Sequence, residues 1–154
     1  MKPGFHGILS LATVFAVILI SLIYLLTISV KLGCIYIVII LAANPVLLYS
    51  YCARCQCRED ACSHFFPGKI AGWLPARKQG PYTFGDYLGT ALALVGLLGF
   101  PQLWLWQNKA LFVIFWVLLT AGLLEILFWV CPECKNDNCP NCKFTSPEKP
   151  AGKC

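Results

Sequence analysis

Charge is scarce in this chain: Asp, Glu, Lys and Arg together make up 12% of its 154 residues, about half the share of a soluble globular domain. That shortage, beside 58% hydrophobic residues and a mean hydropathy of +0.70, excludes an ordinary water-soluble fold. Chain outside the apolar runs is short as well, too short for a separate catalytic domain, which usually takes about 100 residues or more. No H-E-x-x-H, G-x-S-x-G, Walker loop or dinucleotide-binding glycine fingerprint occurs, so the sequence carries no familiar catalytic constellation and does not read as an enzyme. Histidine is limited to His6 and His64, which disfavours a bis-histidine haem between spans, and no C-x-x-C-H is present to attach one covalently.

Uninterrupted apolar chain is what the sequence has in plenty. Residues 8–30 carry no charge, and at 1.5 Å per residue they more than cross a hydrocarbon core of about 30 Å. This run is longer than the hydrophobic region of a cleaved signal peptide and no A-x-A-like site follows it, so it is read as a span. A second run, 35–51, follows after Lys31, Leu32 and Gly33. Two more, 87–106 and 111–130, are separated by little more than Gln107, Asn108 and Lys109. The expected fold is an all-α membrane protein with four transmembrane helices in two hairpins. Its parts are a first hairpin (1–51), a Cys-rich loop with an interfacial helix (52–85), a second hairpin (86–130) and a Cys-rich tail (131–154).

Cations set the orientation. Ten of the twelve, Lys2, Arg54, Arg58, Lys69, Arg77, Lys78, Lys135, Lys143, Lys149 and Lys153, fall on one side, and only Lys31 and Lys109 on the other. The positive-inside rule then places the loop, the tail and both termini in the cytoplasm, and in a bacterium the membrane would be the inner one. The net charge of +5 is accounted for by topology and anionic lipid, and calls for no nucleic acid.

Nine of the ten cysteines lie on that reducing side, where metal binding is a better expectation than disulfides. The first cluster is Cys52, Cys55, Cys57, Cys62 and His64; the second is Cys131, Cys134, Cys139 and Cys142, written Cys-Pro-Glu-Cys and Cys-Pro-Asn-Cys. A C-x2-C turn aims two sulfurs at one ion about 2.3 Å away, and two such turns complete a tetrahedral site suited to zinc or iron. Only four residues separate the two turns of the tail, against about 15–20 in a zinc ribbon, so the tail folds compactly or shares ligands. The ferredoxin spacing is absent. Zinc in a structural, scaffold or assembly role is the leading expectation, with a membrane protein or cytoplasmic protein as partner. An iron–sulfur electron-transfer protein and a soft-metal ion carrier are the alternatives. Each hairpin leaves its second helix through a C-x2-C, Cys52/Cys55 and Cys131/Cys134. The two exits therefore either share one ion or belong to separate sites, and the complete four-thiol set of the tail favours separate sites.

Glu125 falls six residues before Cys131, about 9 Å along the helix, and an acid at that depth is a functional candidate. Asn44, before Pro45, lies at comparable depth and is the expected polar partner of Glu125, although a Glu near the surface also has the simpler course of reaching water. Gly85, Gly89, Ala93 and Gly96 form a small-residue stripe for close helix packing. Trp104, Trp106 and Trp129 fit interfacial belts, Trp116 sits deeper, His6 reads as interfacial and Cys34 as a small buried filler. Phe66, Ile70, Trp73 and Leu74 share helical spacing, as a helix lying on the membrane surface would. The chain after Cys142, ending in the free thiol of Cys154, is expected to be disordered.

Overall fold

The structure is a computed structural model that describes residues 3–54, 70, 77 and 82–133. Every regular element among them is helical. Four helices are long and apolar enough to cross a membrane: α1 (Pro3–Ile28), α2 (Val30–Ser50), α3 (Phe84–Leu105) and α4 (Lys109–Val130). Their surfaces are dominated by exposed large hydrophobic side chains, among them Phe84, Leu103 and Trp106, an arrangement that water would penalise and lipid accepts.

A single residue separates α1 from α2. Ser29 is extended (φ −161°, ψ 128°) and Val30 already begins the next helix, so the break falls two residues before the Lys31-Leu32-Gly33 stretch expected to form the turn. The Ser29 amide donates to the Leu25 carbonyl and the Ser29 carbonyl accepts from the Gly33 amide, which leaves no long loop to satisfy. The tightness is set by Gly33: a methyl group there would overlap Leu26 and stand 2.6 Å from its Cγ. The turn between α3 and α4 comprises Trp106, Gln107 and Asn108, and the Asn108 side chain caps α4 by accepting from the Leu111 amide, the usual role of Asn at that position.

Helix pairing does not follow chain order throughout. α1 packs against α2 on one side and α4 on the other, and α2 packs against α3. Along most of their length α3 and α4 are not neighbours; they meet near their shared turn, where the Phe100–Leu105 end of α3 also touches α1. Two small clusters mark these seams. Val17, Leu105, Phe115 and Leu119 close the α1–α4 side, Ala43, Ala93 and Leu97 close α2–α3, and Leu98 packs against both. Gly89, Ala93 and Gly96 of the small stripe face α2: a methyl on Gly89 would meet Val46 and Ser50, and one on Gly96 would come within 3.2 Å of Ile39, whereas Gly85 is exposed and a methyl there would meet only Thr83 Oγ1 at 4.0 Å. Such close approach is how helices associate in lipid, where apolar side chains gain little by leaving their surroundings.

Proline shapes α3. A regular α-helix would satisfy the Leu97 carbonyl with the amide of residue 101, but Pro101 has none. The helix widens to a π turn at Val95–Gly99, and the Tyr36 hydroxyl of α2 donates to the Leu97 carbonyl at 2.8 Å. A second π turn, Ile126–Val130, ends α4 just before Cys131 and Pro132.

Candidate functional site

The pairings bring the start of α1, the end of α2, the start of α3 and the end of α4 to one end of the bundle. Cys52 lies there, half-buried, opening the 3-10 turn Cys52–Arg54 that follows α2. Cys131 is buried where the chain continues from α4 into the turn Cys131–Glu133. These are the first thiols of the two expected clusters. Cys55, Cys57, Cys62, His64, Cys134, Cys139 and Cys142 lie outside the described residues, as does the surface helix apart from the exposed Ile70. Among the described residues no three His, Cys, Asp or Glu side chains converge as a metal site requires. Between α2 and α4 stands α1, and those two helices share no packed interface.

Arg77 closes the loop at its base. Its amide donates to the Ala53 carbonyl at 3.3 Å, its Nη1 donates to Asp86 Oδ1 at 2.6 Å and its guanidinium lies 4.6 Å from the centre of the Tyr49 ring. Asp86, buried at the start of α3, also accepts from the Thr83 amide and hydroxyl at 2.9 and 2.7 Å. The rings of Tyr51 and Tyr82, tilted at 37° with centroids 5.1 Å apart, add a second stitch, with the Tyr82 hydroxyl donating to the Tyr51 carbonyl. Cys52 and Ala53 are thereby tied to the chain that returns into α3. In the sequence Arg77 is a topology-setting cation that flanks the surface-helix segment beside Lys78, and nothing in its spacing links it to Asp86 nine residues on.

Glu125 and Asn44 are not brought together as a pair. Asn44 is exposed on α2 and its amide donates to the Ile40 carbonyl at 2.8 Å, one turn back on its own helix. Glu125 instead faces His6 of α1, Oε1 to Nδ1 3.8 Å, with the two side chains 20% and 18% exposed. The reason is the α1–α4 register. At Gly122 α1 lies within ordinary contact, a methyl there standing 3.5 Å from Thr13 and 3.7 Å from the Ser10 carbonyl oxygen, and one turn farther along Glu125 comes level with His6. The His6 ring stacks on Trp129 at 5.6 Å and 15°. His6 Nδ1 and Glu125 Oε2 are both buried without a hydrogen-bond partner. Similar distance from the loop-and-tail end of the two runs was the only sequence signal for this pair. Cys34, expected to be buried, is exposed beside the α1–α2 turn, because the face of α2 directed at α1 there is filled by Gly33 and Tyr36. No family model, curated protein or solved structure matches this chain.

Proposed function

We propose that this integral membrane protein is a metal-binding module whose zinc ions, held by thiolates in the loop and tail, fix those segments in shape for a membrane or cytoplasmic protein partner. In this reading two hairpins span the bilayer, and both termini, loop and tail face the cytoplasm, where ten of twelve cations lie. The observation that carries the proposal is the position of Cys52 and Cys131. The first thiol of each C-x2-C sits at the same end of the bundle, each at the close of a transmembrane helix. Starting a C-x2-C turn on a rigid helix end restricts the first sulfur and lowers the entropy of closing a four-ligand site. The packing of α1 between α2 and α4 favours two separate sites over one ion shared by the exits.

Anaerobic purification in detergent, elemental analysis and a visible spectrum test the proposal. Stoichiometric zinc in a colourless sample is expected. Brown protein with iron and sulfide would replace it with electron transfer, and metal-free protein that takes up and releases soft metals reversibly would replace it with carriage.

A further inference from the structure

We infer that the groove between α2 and α3 holds one acyl chain of a phospholipid whose anionic headgroup is received by Arg77. The groove follows from the small residues at this seam. Ala43 and Ala93 are buried at its floor, while Ile39, Ala42 and Val46 of α2 and Gly89, Leu92 and Gly96 of α3 line an opening of about 340 Å³. Side chains this short let the two helices meet but fill little of the space beside the contact. None of these residues is polar, and an apolar trough left empty forfeits dispersion contacts along its walls. In a bilayer a lipid chain supplies them.

Length and charge select a lipid over a second protein helix. The walls run from Ile39 to Val46 and from Gly89 to Gly96, about 10 Å at 1.5 Å per residue. One turn beyond Val46 stands Tyr49 and one turn before Gly89 stands Asp86. Arg77 touches both, its guanidinium 4.6 Å from the centre of the Tyr49 ring and its Nη1 2.6 Å from Asp86 Oδ1. It therefore bridges the two walls above the mouth, about 15 Å from the far end of the groove, and that is half of a hydrocarbon core about 30 Å thick. The far end is closed: a methyl on Gly96 would come within 3.2 Å of Ile39, and beyond it the Tyr36 ring lies against Phe100. A groove one leaflet deep suits an acyl chain, whereas the helix of a second copy crosses both leaflets. At the mouth, the Arg77 guanidinium carries five N–H groups in a planar fork that matches phosphate oxygens, and its side chain keeps 25% of its surface exposed beside the bond to Asp86. The loop it belongs to holds Arg54, Arg58, Lys69, Arg77 and Lys78 against Glu59 and Asp60. Even with Asp86 added the balance is cationic, which draws anionic lipid to this end of the bundle.

Photolabelling of the full chain in nanodiscs tests the site, with two probes that share one diazirine-bearing acyl chain, a phosphatidylglycerol and a phosphatidylcholine. Peptide mass spectrometry compares labelling of Ala42, Val46 and Leu92 with that of Ala121 and Leu124, which are exposed at similar depth on α4. Relative to the α4 signal, the phosphatidylglycerol probe should label the groove at least about threefold more than the phosphatidylcholine probe, the effect of one surface cation partly offset by Asp86. Ala42→Leu, at an exposed position where a larger side chain fills the groove, should lower groove labelling by a similar factor and leave the α4 signal unchanged. Arg77→Gln should remove most of the headgroup preference while groove labelling by the phosphatidylcholine probe persists. Equal groove labelling by the two probes in the wild type would overturn the inference, as would labelling unchanged in Ala42→Leu or a headgroup preference retained in Arg77→Gln. An unlabelled groove, as a second copy or another part of this chain seated there would leave it, would overturn it as well. The wild-type comparison of the probes decides the matter even where a variant fails to fold.

Discussion

Replacing Tyr36 by Phe deletes one hydroxyl from a residue with no exposed surface, and the cost can be reasoned from its partner. The ring keeps its place, since the stack on Phe100 (6.0 Å, 9°) involves no hydroxyl. What changes is the Leu97 carbonyl, which loses a 2.8 Å hydrogen bond and, with proline at residue 101, has no amide four residues on to replace it; the Ser21 side chain, which also hydrogen-bonds the Tyr36 hydroxyl, loses that contact too. Interhelical hydrogen bonds in lipid average about 0.6 kcal/mol and reach about 1.7, while a buried acceptor left unpaired costs about 1–3 kcal/mol. The Leu97 carbonyl and Ser21 both lose a buried partner, so the upper part of the first range applies: about 1.5 kcal/mol, roughly a tenfold change in the unfolding constant. Pro101→Ala returns an amide four residues after Leu97 and gives that carbonyl a regular helical partner. In the Pro101→Ala background, Tyr36→Phe should therefore cost less than half as much, a coupling of about 1 kcal/mol between residues on different helices. Steric-trapping or reversible detergent unfolding of the four proteins measures the cycle. A cost below about 0.3 kcal/mol for Tyr36→Phe, or equal costs in the two backgrounds, would refute the reasoning.

Gly33→Ala should destabilise by about 1 kcal/mol through overpacking against Leu26, and Leu26→Ala should abolish that penalty in the same unfolding assay. Arg77→Ala should cost about 2 kcal/mol, since it strips a charged partner from buried Asp86; hydrogen exchange should show the amide at position 77, which donates to Ala53, losing protection. For separate zinc sites, Cys134→Ser should remove the tail metal and leave the loop metal, with Cys55→Ser giving the converse, while loss of all zinc from either variant would require a shared ion. Single-cysteine tags beside Lys31 and Lys109 should react with an impermeant reagent added outside spheroplasts and one beside Arg77 should not; the opposite pattern would reverse the orientation and weaken the case for reduced thiols.

The sequence by itself determined the number and position of the helices, because crossing a slab about 30 Å thick demands roughly 20 apolar residues and lipid leaves the backbone few alternatives. It also placed a cysteine motif at the close of the second and fourth helices and marked Gly85, Gly89, Ala93 and Gly96 as a face for close contact, of which all but Gly85 meet α2, since both follow from local spacing. It could not choose neighbours. In lipid every apolar face is nearly equivalent, so pairing rests on a few small residues and polar contacts that lie far apart in the chain. Packing alone set α1 between α2 and α4, turned Glu125 toward His6 instead of Asn44, and supplied Tyr36 to a carbonyl that Pro101 leaves unserved. Gly33 allowed the turn to contract to Ser29, a shift invisible to hydropathy because Lys31 still sits at the end of a helix. Each of these depends on register between helices, and register is fixed by side-chain shape meeting across a seam rather than by the hydrophobicity along either strand of sequence.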